Sequence, residues 1–429
     1  MNCNFYLLHM FLRSKTVSLS VCSILFVCCS LLLQVQSLGI FICVPAMASI
    51  DILDLLLVLA RGTLAAQQYI ANDLLKLHQF TFDAASVLEL EQSEREQLVD
   101  NLKKHVQVDV KAELGHKEGD AAKDLVTTAD VLTQAVLATL MAGSTAGTPY
   151  TMVGEEDAPD AAVAPQVDRC LATYYSPALR VPHQEVLRAH VQRTGGRQVV
   201  AADSVEALRR RVGVFIDPID GTNCFVQGVW EAPMTLAGIT VDGVPVAAVA
   251  NRVFIFPLGG AELRHEQSSL SYVWNFEAMK PFMVFEGKRV EKVPTPALPS
   301  GAVLRVAQSS TTQKVFLEEV NRKLEPSEPV YARGAGNKEF FLIQEMLKTQ
   351  ISSIGTSDVF ICSGDGVKKW DTCAPHAFIY ALGGDIYEGD GEPVRYDVTL
   401  DDKYSLRKGV VACTHAAATE LEKRMGWHS

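Results

Sequence analysis

The chain has 429 residues, of which 48% are hydrophobic and 21% are charged. A chain of this length and composition buries a large core and is expected to form two domains or subdomains. Its net charge of −11 and the lack of any Lys/Arg block exclude nucleic-acid binding, or attachment to an acidic membrane, as its main role. An acidic protein that acts on small anions needs bound metal ions or locally placed lysines.

The first 46 residues differ in composition from the rest of the chain. They hold a long apolar stretch preceded by Arg13 and Lys15, and five of the ten cysteines. The later cysteines are spaced singly, which is typical of reduced thiols. An amphipathic helix is predicted to begin close to Met47. We therefore expect residues 1–46 to be an apolar leader or a non-native extension of a cytoplasmic protein, monomeric or homodimeric; a membrane anchor is the alternative.

Residues 47–293 are expected to form an α+β N-terminal subdomain. Apolar periodicity predicts helices over about 50–77 and 84–104, and a third helix from near Lys123. The stretch "YTMVGEED" is predicted to be a strand that ends in three acids. Residues 158–211 are polar and alanine-rich, carry no chemical motif, and are interpreted as an insertion.

The stretch "GVFIDPIDGTNCF" places two aspartates directly after a buried strand. The residues before them are continuously apolar, and Pro218 lacks the amide needed for further pairing, so the strand is expected to end near Asp217. Asp220 begins a turn, and Thr222 or Asn223 is expected to cap a helix. Neighbouring carboxylates suit hard divalent cations, and a helix N-terminus beside them suits an anion.

The remaining chain is expected to contain a sheet and then a second subdomain. Strands are predicted up to about Val253, with a hairpin turn at Asp242-Gly243. The Pro/Gly-rich stretch "EKVPTPALPSG" marks a boundary. Residues 300–429 alternate strand and helix patterns, which predicts an α/β C-terminal subdomain with a largely parallel sheet. The fold class expected for the whole chain is α/β.

Acids follow a predicted strand or begin a predicted helix at three places: "VGEED", "DPIDGT" and "KKWDTCAPHA". In this order and with these neighbours, the motifs resemble those of the lithium-sensitive, magnesium-dependent phosphatases of the inositol monophosphatase superfamily. The resemblance covers the chain from about Met47 to the C-terminus, apart from the insertion. It implies a layered α-β-α-β-α sugar-phosphatase fold, a requirement for Mg²⁺ and inhibition by Li⁺.

The resemblance also implies roles for individual residues. Two to three magnesium ions are expected to be bound by Glu155, Asp217, Asp220, Asp371 and the carbonyl group of Ile219. The expected catalytic residues are Glu155 and Thr222, as partners of the attacking water, and Asp130, towards which the threonine hydroxyl passes its proton. The backbone amides of Gly221 and Thr222 are expected to contact the phosphate.

Two branches of the superfamily compete for the substrate assignment. "GAGNK" and "KKWDTCAP" are similar to motifs of 3'(2'),5'-bisphosphate nucleotidases, which remove the 3'-phosphate from adenosine 3',5'-bisphosphate. The long spacer between "VGEED" and "DPIDGT", and His376 in "APHA", instead resemble inositol polyphosphate 1-phosphatase, with inositol 1,4-bisphosphate as its substrate. An inactive superfamily member is the alternative outside catalysis.

In both branches a second phosphate stays on the substrate and needs a cation. Lys338 is the expected partner because it follows a glycine turn that includes Gly336, and the amides of this turn are also expected to face the substrate. Ser309 matches a substrate-binding serine of the nucleotidases, whereas Ser310 stands where those enzymes carry a histidine. We expect the nucleotidase reaction, on a small-molecule phosphorylated substrate.

Overall fold

The structure is a computed structural model that describes residues 47–80, 90–113, 123–143, 148–157, 163–194, 198–252, 269–276, 280–309, 314–348, 355–364 and 366–427. All of these residues belong to one compact unit, Met47–Ser429. Residues 1–46 lie outside the described part of the chain, so the expected leader or anchor stays a prediction. Among the helices that are described, none is both long and apolar enough to cross a membrane. The division into subdomains 47–293 and 300–429 also stays a prediction.

Helices and strands are mixed along the whole described chain. The α-helices are α1 Ile52–Tyr69, α2 Gln92–His105, α3 Thr128–Gly143, α4 Ala164–Tyr174, α5 Gln184–Thr194, α6 Val205–Arg211, α7 Thr222–Gln227, α8 Lys314–Leu324, α9 Ala335–Leu347, α10 Lys369–Leu382 and α11 Ala418–Met425. The strands are β1 Ala48–Asp51, β2 Val108–Glu113, β3 Lys123–Thr127, β4 Thr151–Gly154, β5 Val199–Ala202, β6 Val212–Asp220, β7 Met234–Val241, β8 Val244–Arg252, β9 Leu270–Trp274, β10 Phe282–Phe285, β11 Lys288–Val290, β12 Leu304–Gln308, β13 Ser327–Tyr331, β14 Val359–Cys362, β15 Asp385–Glu388 and β16 Val410–Cys413. The expected α/β class is confirmed.

The predicted N-terminal helices are confirmed in part. Helix α1 begins where the side chain of Asp51 accepts a hydrogen bond from the Asp54 amide (3.0 Å), and it continues as a π-helical turn, Ile70–Leu74. Helix α2 overlaps the second predicted range from Gln92 and ends one residue beyond it, at His105; residues 84–89 of that range are outside the described chain. The third helix begins at Thr128, so its predicted start near Lys123 was wrong. Residues of β3 pair instead with β2 in an antiparallel ladder, so their backbone groups bond to the neighbouring strand and not within a helix.

A seven-stranded sheet occupies the N-terminal half, in the order β11-β10-β9-β8-β7-β6-β4. Strands β4 and β6 are parallel, and the other described pairs of this sheet are antiparallel. Strands β7 and β8 are joined by the two-residue turn Asp242-Gly243, in which both φ angles are positive, at 52° and 76°. These angles match a type I′ turn, so the predicted hairpin is confirmed.

A five-stranded sheet occupies the C-terminal half, in the order β13-β12-β14-β16-β15. Strand β12 is parallel to β13 and β14, as expected. Strand β16 is antiparallel to both of its neighbours, β14 and β15, so the expectation of a largely parallel sheet was wrong for this side. The physical reason is the connection over residues 389–409, which contains no helix and returns β16 from the end at which β15 stops.

The layers are stacked in the expected α-β-α-β-α order. Helices α1 and α3 pack on one face of the seven-stranded sheet, and α9 and α10 fill the space between the two sheets. Helices α8 and α11 cover the outer face of the five-stranded sheet. Strand β6 is buried on both faces: Ile216 joins the core with α1, and Phe215 joins the core with Phe340 and Phe378. A strand buried on both sides is continuously apolar, which the sequence shows here.

The described residues of the interpreted insertion, 163–194 and 198–211, pack against β1 and α1. Strand β5 pairs antiparallel with β1, and Leu187 and Val191 of α5 lie in the same core as α1. The Nε atom of Arg61 in α1 donates to the carbonyl oxygen of Leu179 (3.1 Å). Whether the segment is an insertion stays a prediction.

Candidate active site

Strand β6 extends further into the "DPIDGT" motif than the sequence analysis expected. The strand continues to Asp220, and a shift in its register with β7 lies between Asp217 and Asp220. This bulge accommodates Pro218, whose carbonyl group accepts a hydrogen bond from the Thr235 hydroxyl (2.8 Å). The expected end of the strand near Asp217 was therefore wrong, because the bulge allows pairing to resume beyond the proline.

Three carboxylates meet at the end of β6. Oxygen atoms of Asp217, Asp220 and Asp371 all lie within 4.8 Å of one another. Asp371 comes from the first turn of α10, where its side chain accepts a hydrogen bond from the Lys368 amide. One oxygen of Asp217 is buried and has no hydrogen-bond partner among the described residues. Asp217 and Asp220 are buried and Asp371 is half-buried, and close carboxylates with an unpaired oxygen have the donor chemistry that a hard divalent cation requires, so these residues fit a magnesium site.

The electrostatics of these carboxyl groups also indicate a cation site. Burial, and then the charges of Glu155 and Asp371, raise the pKa of Asp217 well above its ordinary value. Burial raises the pKa of Asp220 to about 6 and that of Asp371 to about 7. Buried carboxylates that repel one another take up protons unless a cation is bound. A divalent ion bound here would displace these protons and neutralise the charge of the ionised carboxylates.

Glu155 lies at the same site but has a partner of its own. Its backbone amide donates to the carbonyl oxygen of Ile216 (3.1 Å), which fixes it beside β6. The ammonium group of Lys111, on β2, lies 3.1 Å from a Glu155 oxygen and 2.5 Å from a Glu156 oxygen. Although partial burial opposes it, the charge of Glu155 and the hydrogen bond to Glu156 raise the pKa of Lys111. The sequence analysis missed Lys111, and the alternation in "VDVKAE" was the signal for its strand.

Asp130 and Thr222 form a buried hydrogen-bonded pair next to the carboxylates. The Thr222 hydroxyl lies 3.1 Å from an Asp130 oxygen and 3.1 Å from the Ile219 carbonyl oxygen. The other Asp130 oxygen accepts hydrogen bonds from the Thr127 amide (2.8 Å) and hydroxyl (2.5 Å). Burial, followed by the charge of Glu155, raises the pKa of Asp130 to about 8. A carboxyl group with this pKa is suited to exchange a proton near neutral pH.

Helix α7 starts at this pair. Its N-cap is Gly221, with φ at 83°, and the backbone amide of Cys224 donates to the Gly221 carbonyl oxygen (2.8 Å). The expected helix is present, but Gly221 caps it instead of Thr222 or Asn223, because the chain leaves the strand through a left-handed conformation that glycine adopts without strain.

The glycine turn of "GAGNK" contacts a carboxylate of the cluster. The amides of Ala335 and Gly336, in the first turn of α9, donate to the two oxygens of Asp220 at 3.1 and 2.9 Å. A Cβ atom on Gly336 would lie 3.1 Å from an Asp220 oxygen and 2.8 Å from a methyl group of Leu236. The amide expected to face the substrate is thus used by Asp220, and the substrate role of Gly336 stays a prediction.

Two charged neighbours on α9 are buried beneath this turn. Lys338 is 4% exposed, its Nζ atom lies 5.8 Å from the centre of the Phe360 ring, and its charge acts to lower the pKa of Asp220. Glu339 is fully buried, and neither of its carboxylate oxygens has a hydrogen-bond partner in the described chain. Burial raises the pKa of Glu339 well above its ordinary value, and the charges of Asp220 and Asp371 add to this. The sequence analysis did not single out Glu339.

The structure also describes two other residues that the sequence analysis named, Ser309 and His376. Ser309 is half-buried and directly follows β12, next to Gln308, whose carbonyl oxygen accepts from the Ala332 amide (3.2 Å). His376 is buried, and its two ring nitrogens lie 3.0 Å from the Tyr396 hydroxyl and 2.8 Å from an Asp385 oxygen. These contacts tie α10 to the chain that follows it. Ser310 lies outside the described residues.

Comparisons with known proteins identify the family of the chain. The chain is 25% identical over 300 residues to human 3'(2'),5'-bisphosphate nucleotidase 1, and this alignment covers 70% of this chain and 82% of that protein. It is 26% identical over 213 residues to bovine inositol polyphosphate 1-phosphatase, and this alignment covers 44% of this chain and 50% of that protein. A crystal structure of the extragenic suppressor protein suhB from Bartonella henselae matches with a TM-score of 0.49 and 12% identity, over 88% of this chain and 100% of that one. The model of the inositol monophosphatase family matches residues 83–425. This chain belongs to the inositol monophosphatase family and is a phosphatase.

Proposed function

We propose that the protein is a magnesium-dependent phosphomonoesterase that removes one phosphate from a small bisphosphorylated molecule. The observation that carries this proposal is the cluster of three carboxylates within 4.8 Å, two of them buried and that of Asp371 half-buried, with an Asp217 oxygen that has no partner in the described chain. Magnesium, as two to three ions, would be held by these carboxylates together with Glu155 and the carbonyl group of Ile219. When bound, the metal supplies an activated water and a clamp for the phosphate oxygens.

The residues around the cluster have roles that follow from their contacts. Thr222 orients the attacking water together with Glu155, and it passes a proton to Asp130, to which it is hydrogen-bonded at 3.1 Å. The amides of Gly221 and Thr222 contact the phosphate. Lys111 offsets the charge of Glu155 while no cation is bound, since its ammonium group lies 3.1 Å from that carboxylate. An inactive family member would not need to keep this set of buried acids.

The favoured substrate is adenosine 3',5'-bisphosphate, from which the enzyme removes the 3'-phosphate. The "GAGNK" and "KKWDTCAP" motifs support this choice, as does the similarity to nucleotidases over 82% of their length. Ser309 follows the strand next to the glycine turn and is proposed to contact the substrate. The sequence analysis expected Lys338 to pair with the second phosphate; because Lys338 is 4% exposed and its charge acts on Asp220, we propose instead that it acts on the phosphate bound at the metal site.

Inositol 1,4-bisphosphate is the second candidate. The long segment between "VGEED" and "DPIDGT" and the buried His376 favour it, and bovine inositol polyphosphate 1-phosphatase is among the similar proteins. Both candidates are small phosphorylated molecules. We also propose that the protein acts in the cytoplasm, as a monomer or homodimer, without nucleic acid.

A substrate panel tests these proposals. Purified protein with Mg²⁺ is offered adenosine 3',5'-bisphosphate, inositol 1,4-bisphosphate and inositol 1-phosphate, and phosphate release is measured with and without Li⁺. We expect the first compound to have the highest kcat/KM, and Li⁺ to inhibit far more strongly than Na⁺. A preference for inositol 1,4-bisphosphate would exclude the nucleotidase assignment only. Activity that is unchanged in EDTA, or in the Asp217→Asn variant, would overturn the metal-dependent mechanism.

A further inference from the structure

A buried arginine at the end of β8 links the segments that surround the carboxylate cluster. Arg252 has a side chain that is 1% exposed, and its Nε atom donates to Glu286 at 3.1 Å. Glu286 lies in the turn between β10 and β11, and its side chain is 8% exposed. Burial of such a pair removes the hydration of both charges, which is unfavourable. A stable core alone does not require it, since apolar residues of similar volume pack at least as well.

The remaining contacts of the guanidinium group point towards the site. Its Nη1 atom donates to the carbonyl oxygen of Glu231 (2.6 Å) and to the Oδ1 atom of Asn337 (2.7 Å). Glu231 lies in the loop that follows α7, and Asn337 lies in the first turn of α9. The guanidinium carbon also lies 5.7 Å from the centre of the Phe340 ring, on α9. One arginine therefore bonds to the segment after α7 and to the start of α9.

The turn before α9 lies between Asp220 and the segment after α7, since a Cβ atom on Gly334 would lie 3.2 Å from an Asp220 oxygen and 3.4 Å from the Ala232 carbonyl oxygen. The first turn of α9 donates the amides of Ala335 and Gly336 to the Asp220 carboxylate, at 3.1 and 2.9 Å. The turn before α9 also touches the start of α7, because a Cβ atom on Gly221 would lie 3.7 Å from the Cα atom of Gly334. The carboxylate of Asp220 can keep its direction only if α9 stays in this position relative to β6 and α7.

Asn337 connects Arg252 to helix α9 through two hydrogen bonds. Its side-chain amide accepts from Arg252 through Oδ1 and donates through Nδ2 to the carbonyl oxygen of Arg333 (3.0 Å). Asn337 is 4% exposed, so water does not compete for these bonds. The chain of contacts from Glu286 through Arg252 and Asn337 ends at the amides that hold Asp220.

We propose that Arg252 is a positioning residue, which fixes the start of α9 through Asn337 and thereby orients Asp220 for the metal. The inference rests on the proposed magnesium site. Groups that orient a metal ligand without touching the metal have a known scale of effect: their loss lowers metal affinity about 10–100-fold. A purely structural arginine would affect only the stability of the fold.

The test is direct measurement of Mg²⁺ binding by titration calorimetry, alongside thermal unfolding in EDTA and steady-state kinetics. We expect Arg252→Met and Asn337→Ala each to raise the Kd for Mg²⁺ about tenfold, with a smaller change in KM for the substrate. Arg289→Met removes a partly exposed arginine from the neighbouring β11 and serves as the matched control, with no change in Kd expected. The double variant Arg252→Met with Asn337→Ala should be no weaker in binding than the worse single variant, because both remove the same contact.

Each other outcome has a definite meaning. A Kd for Mg²⁺ equal to that of the wild type in both single variants, with only the unfolding temperature changed, would overturn the positioning role. Additive losses in the double variant would show that the two residues act separately and would overturn the proposed contact. If Arg252→Met fails to fold, Asn337→Ala alone decides, since alanine favours a helix and leaves the pair of Arg252 with Glu286 in place. A wild-type protein that binds no Mg²⁺ would refute the proposed function instead.

Discussion

Replacing Asp130 with asparagine would separate proton transfer from metal binding. The Asp130 carboxylate accepts from the Thr127 amide (2.8 Å) and from the Thr222 hydroxyl (3.1 Å). In Asp130→Asn the side-chain oxygen can keep the first bond, and the new NH₂ group can donate to Thr222, whose hydroxyl still donates to Ile219 (3.1 Å). The geometry is kept, but the side chain can no longer take up a proton. We expect turnover to fall about 10²–10⁴-fold, with the Kd for Mg²⁺ within about threefold of the wild type.

The same substitution should stabilise the metal-free protein at alkaline pH. Burial raises the pKa of Asp130 from the ordinary value of 3.8 to about 8 in the folded state, with a further contribution from Glu155. Between these two values the folded protein binds more protons than the unfolded chain, so the wild type loses stability as the pH rises. The full difference corresponds to about 6 kcal/mol as an upper limit, at about 1.4 kcal/mol per pKa unit. Asparagine does not titrate and avoids this loss.

Urea unfolding in EDTA at pH 5 and pH 8 measures this effect. We expect the free energy of unfolding of Asp130→Asn, relative to the wild type, to increase by up to about 4 kcal/mol between the two pH values. Asp157→Asn is the matched control, because it removes the same charge from an exposed side chain and should show no such increase. An identical pH dependence in the wild type and Asp130→Asn would refute the argument about burial. Near-normal turnover of the variant would refute the role of Asp130 as proton acceptor.

Three further substitutions test the cation site. Asp371→Asn should abolish Mg²⁺ binding in calorimetry while leaving unfolding in EDTA at pH 8 no easier than in the wild type, and retained binding would contradict its role as a ligand. Lys111→Met should lower the Mg²⁺ concentration for half-maximal activity, because the ammonium group 3.1 Å from Glu155 no longer competes with the cation; an unchanged value would contradict this. Gly336→Ala places a Cβ atom 3.1 Å from an Asp220 oxygen and should weaken Mg²⁺ binding about tenfold. An effect of Gly336→Ala on substrate KM alone would favour the substrate contact instead.

Local signals in the sequence predicted the elements that carry the acids. The apolar run before Asp217 identified a strand buried on both faces, and the glycine after Asp220 marked the turn into α7. The Asp242-Gly243 turn predicted its hairpin correctly because two successive positive φ angles are favourable for few residue pairs. Strand ends and turns of this kind depend on residues that are adjacent in the sequence. The alternation of strand and helix patterns likewise predicted the α/β class, although not the direction of β16.

The contacts between distant segments could not be predicted in this way. Nothing near Lys111 indicates that it reaches Glu155, and nothing near Lys338 indicates that it is buried beside Asp220. The sequence around "GAGNK" suggested amides for a substrate, whereas in the folded chain Gly336 donates to a carboxylate.

The sequence by itself determined that acids stand at the ends of β4 and β6 and at the start of α10, since strand ends, turns and helix starts depend on residues a few positions apart. The tertiary structure decided that Asp371 joins Asp217 and Asp220, and that Arg252 reaches Asn337. Those contacts depend on the packing of two sheets around α9 and α10, which buries the charged groups together and thereby sets their pKa values. Packing of this kind is a property of the whole core, so no single stretch of the sequence contains it.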